Sequence, residues 1–383
     1  MVIGIDASQA IKEQKTGVQW YSYHLLLALK SIVPPLHRVR LYTPTPLPAV
    51  FRPLPPHWEE KVLPWPFQQG WTLCRLSREL RRDPPDVFFS PGHIIPPFIP
   101  CKTMVTIHDL GFRDFPRAYA HSRLMNFLHA RDARIAHTII TPSNATRDAV
   151  MQAYAINPGK IHVIPHGYDA DIYHPYDEQA IQQALDHYGI KKPYVISVGR
   201  LEEKKNTMSV LQLIQAFRHA ALDSASRTND LQLVLVGSRG YGYKKIQQWI
   251  EENHASNWIH ELGWLPSKDT AMLISGASAL IAFSRIEGFG LTILEAIACN
   301  TPILASDIPP HREIGQNLIT YTDPNNLTES TNGLINLINH DARRALSTLA
   351  PLSVNSVEWS LVDHTWSYSA QQTLNILLQF SAH

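Results

Sequence analysis

Short apolar runs alternate with amphipathic stretches along nearly the whole chain, and this alternation constrains the fold more than any other feature. Runs such as Val2–Ala7, Val39–Thr43 and Val87–Ser90 are too short for buried helices and suit strands covered on both faces. The stretches between them, such as Val18–Ile32, carry apolar residues at helical spacing. Strands and helices in strict alternation predict βα units on parallel sheets. The first half further offers strands Thr103–Ile107, Thr138–Thr141 and Ile161–Pro165, with helices Trp71–Arg82, Ser122–Ala136 and Asn144–Tyr154. Ser143 is placed to N-cap the last of these.

A polar stretch from Pro165-His166-Gly167 to about Lys192 interrupts the pattern, which then restarts. Strands are expected at Tyr194–Val198, Leu231–Val236, Trp258–Leu262, Leu280–Phe283, Ile303–Ala305 and Ile319–Tyr321, with a late helix over about Leu361–Phe380. At 383 residues the chain exceeds one ordinary core. Two doubly wound α/β domains are therefore expected, 1–170 and 171–360. Proline-rich connections, Pro44 to Pro56 and Pro91 to Pro100, read as long ordered loops on one rim.

Composition narrows the class. Hydrophobic content of 44% and charged content of 17% describe a foldable enzyme-like chain. No apolar run approaches the roughly 20 residues needed to span a bilayer. Met1-Val-Ile-Gly-Ile-Asp6 reads as a buried strand, not a signal peptide, and Cys74, Cys101 and Cys299 show no metal-ligand spacing, so a cytoplasmic protein with reduced thiols is expected. The net charge of +1 hides an asymmetry: residues 1–170 carry 19 Lys and Arg against 12 Asp and Glu, and residues 171–383 carry 15 against 21. Two domains with different partners are implied. Nucleic acid is not among them, because no arginine-rich tract is interleaved with exposed aromatics.

In open α/β sheets, ligands sit beyond the carboxyl ends of the strands, and three such loops carry chemistry. Tyr194–Val198 runs into Gly199, then Arg200 and Lys205, before a helix; glycine with two separated cations suits a diphosphate. The intervening Glu202-Glu203-Lys204 reads as solvated loop. Glu287-Gly-Phe-Gly-Leu-Thr-Ile-Leu-Glu295 sets two carboxylates eight residues apart around a glycine turn at the mouth of a helix. Gly288 and Gly290 allow close approach of a ligand, and the helix N-terminus near Phe289, Leu291 and Thr292 offers N–H groups. Leu291, Leu294 and Ile297 with Ala298 give that helix its buried face. In the first half, Thr103–Ile107 delivers His108, followed by Asp109, to a strand end; Asp109 either orients the ring or caps the turn. Thr16-Gly17 precedes a helix, where Gly17 serves either as close-approach point or as ordinary punctuation.

These segments, in this order and spacing, resemble the GT-B retaining glycosyltransferases of family 4 (glycosyl transferases group 1). The chain's Gly199-Arg-Leu-Glu-Glu-Lys-Lys205-Asn segment, its Glu-x7-Glu segment and its His108-Asp-Leu segment carry the resemblance, which extends from Thr16-Gly17 to about Asp323-Pro324. It departs at Thr292, where proline is frequent, and at Asn300, where glycine is usual; Asn tolerates a left-handed turn. The resemblance implies two Rossmann-like domains facing a cleft, with the final helix packing back on the first. It implies that Arg200 and Lys205 hold the donor diphosphate, Glu287 lies against the donor sugar, Glu295 binds the ribose, and His108 reaches the sugar. Gly17, Gly288, Phe289, Gly290 and Leu291 would line the donor. It also implies metal-independent chemistry with no cofactor, a nucleotide-sugar donor substrate, and a glycan or lipid-linked acceptor. Phe88-Phe-Ser-Pro91 and Arg200-Leu-Glu look most like bacterial mannosyltransferases of cell-surface polysaccharide synthesis, so GDP-mannose is the expected donor. UDP-glucose or UDP-N-acetylglucosamine, a nucleotide-sugar epimerase on the same scaffold, and a non-catalytic scaffold member are the alternatives. Asp169-Ala-Asp171 has metal-motif spacing but lies in the linker, and Gly237-Ser-Arg-Gly240-Tyr-Gly242 lacks dinucleotide spacing. Arg75, Arg78 and Arg82 share one face of the Trp71–Arg82 helix, either as solvated charges on a core-packed helix or as a peripheral contact with the inner face of a membrane.

Overall fold

A computed structural model describes residues 1–67, 69–92, 94–119, 121–223, 230–339 and 361–380. The chain forms two compact units, Met1–Gly167 with Leu361–His383, and Tyr168–Ser360. In the first unit the order is β1 (Val2–Asp6), α1 (Gly17–Ile32), β2 (Arg38–Thr43), β3 (Trp58–Val62), α2 (Ser77–Arg82), β4 (Val87–Ser90), β5 (Lys102–Thr106), α3 (Gly111–Asp114), α4 (Ser122–Ile135), β6 (Thr138–Thr141), α5 (Asn144–Tyr154) and β7 (Ile161–Val163). The second unit runs α6 (Glu178–Tyr188), β8 (Tyr194–Val198), α7 (Thr207–Asp223), β9 (Gln232–Val236), α8 (Tyr243–Glu252), β10 (Ile259–Gly263), α9 (Ser267–Gly276), β11 (Ala279–Ala282), α10 (Leu291–Ala298), β12 (Ile303–Ser306), α11 (Pro309–Gly315), β13 (Thr320–Thr322) and α12 (Leu327–Asn339). α13 (Trp366–Gln379) then belongs to the first unit.

The strands order as β3-β2-β1-β4-β5-β6-β7 in one sheet and β10-β9-β8-β11-β12-β13 in the other, and every pairing is parallel. Parallel strands need crossovers, and the helices supply them while covering both faces. In each sheet the order reverses at one place, between β1 and β4 and between β8 and β11. Loops leaving the carboxyl ends of strands at such a point diverge to opposite faces and leave a crevice.

β3 is absent from the strands expected above. Of Trp58-Glu-Glu-Lys-Val62 only Trp58 is buried, because β3 lies at the sheet edge. Its charges are neutralised there: Arg40 and Arg38 meet Glu59, Arg52 meets Glu60, and Lys61 meets Asp83. Charged edge strands resist pairing with other chains and lack the apolar alternation that sequence patterns detect. The Trp71–Arg82 segment is also not one α-helix, since Trp71–Leu76 forms a wider π-type turn before α2. Trp71 is buried and its indole N–H donates to the Leu63 carbonyl, while Arg75 pairs with Glu79 along the helix.

α13 docks on α1. Trp366, Ala370, Leu374 and Leu377 join Tyr21, Leu25, Leu26 and Leu29 in one buried cluster, and the His24 ring stacks on Trp366 at 5.1 Å. Ser369 Oγ donates to the Pro165 carbonyl at 2.6 Å. Gly167 permits this approach, because a Cβ there would lie 2.2 Å from the Trp366 nitrogen. No helix among the described residues is long and apolar enough to cross a membrane.

Candidate active site

In the second unit the reversal of strand order sets the loop after β8 beside the loop after β11. Lys205 and Glu287, 82 residues apart, meet there as an ion pair through Lys205 Nζ and Glu287 Oε1. Ser284 Oγ donates to the same carboxylate oxygen at 2.6 Å. Burial alone would raise the Glu287 carboxyl, but Lys205, Lys204 and His311 outweigh it and bring it down to about 2. Glu287 is therefore an anion throughout the physiological range.

The loop carrying Lys205 is built by glycines and a second loop. Gly199 has φ +143°, and its missing Cβ makes room for the Lys205 side chain, whose Cε would lie 3.3 Å away. Gly237, at φ +142°, backs onto it so closely that a Cβ would fall 2.0 Å from the Gly199 carbonyl oxygen. Leu201 N–H donates to Ser238 O, Gly240 N–H to Leu201 O, and Glu203 N–H to Tyr241 O. The Gly237–Gly242 loop is thus a brace for the Arg200–Lys205 loop. Glu202 and Lys204 are buried, contrary to the solvated loop expected of them; only Glu203 is exposed. Buried Lys204 helps to hold Glu287 ionised. Asn206 closes the loop at φ +53°, its Oδ1 accepting from Ser209 Oγ at 3.0 Å and from Arg285 at 3.4 Å. Arg200 is half-exposed and lies 3.4 Å from Glu202.

The turn after Glu287 runs through Gly288 and buried Phe289 to Gly290 at φ +108°, which starts α10. The first N–H groups of α10 have no acceptor one turn earlier, so its mouth favours anions. Ile293, Leu294, Ala296, Ile297 and Ala298 anchor the helix; Leu291, expected on the buried face, is only partly covered, and Ile293 takes its place. Asn300 adopts φ +57° where the helix ends.

Glu295, one turn into α10, behaves oppositely to Glu287. Burial pushes its carboxyl up to about 8, against the lowering effects of the Tyr173 hydroxyl and Lys205. It holds a proton near neutrality when no ligand is present. Beneath both, Ser306 Oγ donates to the Ser284 carbonyl at 2.6 Å, and His311 Nδ1 lies 3.0 Å from Ser306 O and 3.1 Å from Ser306 Oγ. Tyr173 and His311 escaped sequence reasoning, because one lies in the linker and the other after β12. Only the fold brings them to α10.

The first-unit candidates are placed separately. His108 is buried, with Nε2 2.8 Å from the Pro91 carbonyl and Nδ1 3.2 Å from His166 Nε2. The carbonyl requires Nε2 to carry the hydrogen, leaving Nδ1 to accept from His166. Burial lowers the ring to about 4, so it is neutral. Both nitrogens are thus engaged within the unit. Asp109 Oδ1 accepts from Gly111 N–H at 2.7 Å, which makes it a turn cap. Gly17 opens α1 after a capping box of Thr16 and Gln19, and a Cβ on it would meet nothing within 4 Å. In the linker, Asp169 Oδ1 caps Asp171 N–H at 3.1 Å, a turn rather than a metal ligand arrangement. Among the described residues no group of three or more His, Cys, Asp and Glu side chains converges on a metal position.

Two family models match, Glycosyltransferase Family 4 over residues 16–172 and Glycosyl transferases group 1 over 177–348. O-antigen chain mannosyltransferase B of Escherichia coli is 24% identical over 314 residues, covering 81% of this chain and 77% of that protein. Alpha-maltose-1-phosphate synthase of Mycolicibacterium smegmatis is 27% identical over 268 residues, covering 64% of each, a little under two-thirds of that relative. Among solved structures, Anabaena HepE in complex with UDP and glucose has a TM-score of 0.71 at 17% identity and 98% coverage of both chains. WaaG, a glycosyltransferase involved in lipopolysaccharide biosynthesis, has a TM-score of 0.70 at 16% identity, with 98% and 99% covered. With two adjoining family models and two parallel α/β units, the chain belongs to glycosyltransferase family 4, the glycosyl transferases group 1, and is an enzyme of the GT-B fold.

Proposed function

We propose that this glycosyltransferase is a retaining, metal-independent enzyme that moves a hexose, mannose from GDP-mannose, to a glycan or lipid-linked acceptor in cell-surface polysaccharide synthesis. The observation that carries the donor site is the Lys205–Glu287–Ser284 cluster beside the mouth of α10. As the glycosidic bond breaks, negative charge grows on the leaving diphosphate. Arg200, Lys205 and the α10 N–H groups supply positive potential in the places where a divalent cation would otherwise be needed. Glu287, held ionised, faces the positive charge that develops on the sugar. Its Oε1 is occupied by Ser284 and Lys205, which leaves Oε2 for a sugar hydroxyl. Glu295 takes the ribose hydroxyls.

The mannose reading is supported by two relatives named as O-antigen chain mannosyltransferases, from Escherichia coli and Salmonella typhimurium. UDP-glucose is the rival, favoured by the likeness to HepE in complex with UDP and glucose. Purified protein assayed against GDP-mannose, UDP-glucose and UDP-N-acetylglucosamine separates them: turnover of UDP-glucose alone overturns the mannose assignment. Sugar isomerisation without acceptor favours an epimerase instead.

The basic first unit suits an acceptor carried on an anionic membrane. In the Trp71 region Trp71 is buried while Phe67, Arg78 and Arg82 are exposed, and α4 offers the larger apolar face for this contact. On α4, Leu124, Phe127 and Ile135 are exposed among exposed Arg123 and Arg134, a face suited to an anionic bilayer. Co-sedimentation with phosphatidylglycerol vesicles should fall on Phe127→Ser substitution and in high salt; equal binding by both proteins removes α4 from this role.

A further inference from the structure

His311 sits at the first turn of α11, between β12 and the α10 turn, and is 1% exposed. Its Nδ1 is committed, because Ser306 O, 3.0 Å away, only accepts and so requires the hydrogen on Nδ1. Ser306 in turn pins the Ser284 carbonyl, so the ring is tied into the framework that positions Glu287. The neutral ring then carries its lone pair on Nε2, which has no hydrogen-bond partner among the described residues. That edge of the ring faces the α10 turn: a Cβ on Gly290 would lie 3.5 Å from His311 Cδ2, the atom bonded to Nε2. An imidazole nitrogen without a protein partner, on a ring that is almost wholly enclosed and lies at the mouth of a helix already suited to anions, is an incomplete site.

We propose that His311 is a further ligand of the donor diphosphate, taking a proton from solvent as the diphosphate arrives and donating it from Nε2 to a phosphate oxygen. This rests on the Glu287–Leu291 turn being the diphosphate site. A bare lone pair repels a phosphate oxygen, whereas an imidazolium makes a charge-assisted hydrogen bond with it. The groups that set the proton's energy are on neighbouring loops. Glu287 favours the imidazolium, Lys205 opposes it, and burial keeps the ring neutral while no anion is present. On its own helix, Arg312 is paired with Asp307 and lies over Tyr321. A diphosphate both draws Lys205 toward itself and adds negative charge beside Nε2, and both changes favour protonation. His311 thereby adds a cation that exists only when the leaving group is bound.

UDP and GDP, titrated separately into the full-length protein, serve as probes. Calorimetry in buffers of different ionisation enthalpy counts protons taken up on binding, and the His311→Gln variant provides the reference, since Gln donates from the Nε2 position but does not titrate. Any proton released by Glu295 or by the nucleotide is common to both proteins. The expected result is up to one more proton taken up by the parent between pH 6.5 and 8, with an affinity about tenfold higher at the acid end. His311→Asn, which keeps the Ser306 bond and lacks Nε2, should also bind about tenfold more weakly. Imidazole nitrogen NMR of the unsubstituted protein reads the ring directly, and His311 should change from neutral to cationic on nucleotide addition. A His311 signal unchanged by bound nucleotide, or equal proton counts in parent and Gln variant, overturns the proposal while leaving the donor site intact. Failure of both nucleotides to bind overturns the donor-site reading together with it.

Discussion

Two glutamates eight residues apart on one turn of chain have opposite electrostatic fates. Glu287 ends beside Lys205 and Lys204 and is held near 2, whereas Glu295 is partly covered beside Tyr173, and loss of solvent around its carboxyl raises it to about 8. Glu287 therefore stabilises the folded protein fully above the ordinary glutamate value, and this contribution, on the order of 3 kcal/mol, fades as pH falls from about 4.5 toward 2. Glu295 has the opposite sign, favouring the fold when protonated and ceasing to do so as pH rises toward 8. Urea denaturation at pH 5 and pH 3 should show the parent losing more stability than Glu287→Gln; equal losses would remove the ion pair from the account. The same substitution should lower kcat about 100-fold or more while the circular dichroism spectrum is kept. Turnover within a few-fold of the parent would place the sugar elsewhere.

At the scale of elements, the diphosphate loop after β8 owes its shape to the loop after β9. The contact of Gly237 with Gly199 leaves no room for a side chain, and φ +142° is strained for any residue but glycine. Gly237→Ala should therefore lower the melting temperature by several degrees and weaken nucleotide binding together. Gly17→Ala is the contrasting case. Its Cβ enters open space at the start of α1, so melting should be unchanged or slightly raised. A rise in the donor KM would then report a ligand approaching Gly17, and an unchanged KM would reduce this glycine to punctuation. The half-exposed edge strand β3 belongs to the same scale: its identity comes from pairing with β2, since its own residues carry little strand signal.

At the scale of the whole molecule, the chain's last described helix completes the core of its first unit. Removal of residues 361–383 would uncover Tyr21, Leu25 and His24 where Trp366 and Leu374 now pack. A truncated chain should aggregate or melt far below the parent, and Gly167→Val should do the same at full length, because its side chain would collide with the Trp366 backbone. Normal melting of Gly167→Val would mean that α13 is dispensable.

Sequence alone carried the alternation of buried strands and amphipathic helices, hence two parallel-sheet units, because strands buried on both faces and helices with one apolar face leave a periodic trace. It also carried the segments around Arg200, Lys205, Glu287 and Glu295, whose residue types and spacing are local. Only the tertiary structure decided what depends on distant parts of the chain meeting. It paired Lys205 with Glu287, buried Glu202 and Lys204, made a brace of Gly237–Gly242, occupied both nitrogens of His108, and brought His311 to the α10 turn. Protonation states follow from those meetings, since burial and neighbouring charge are properties of three-dimensional surroundings. A glutamate's place in the sequence does not say whether it is an anion.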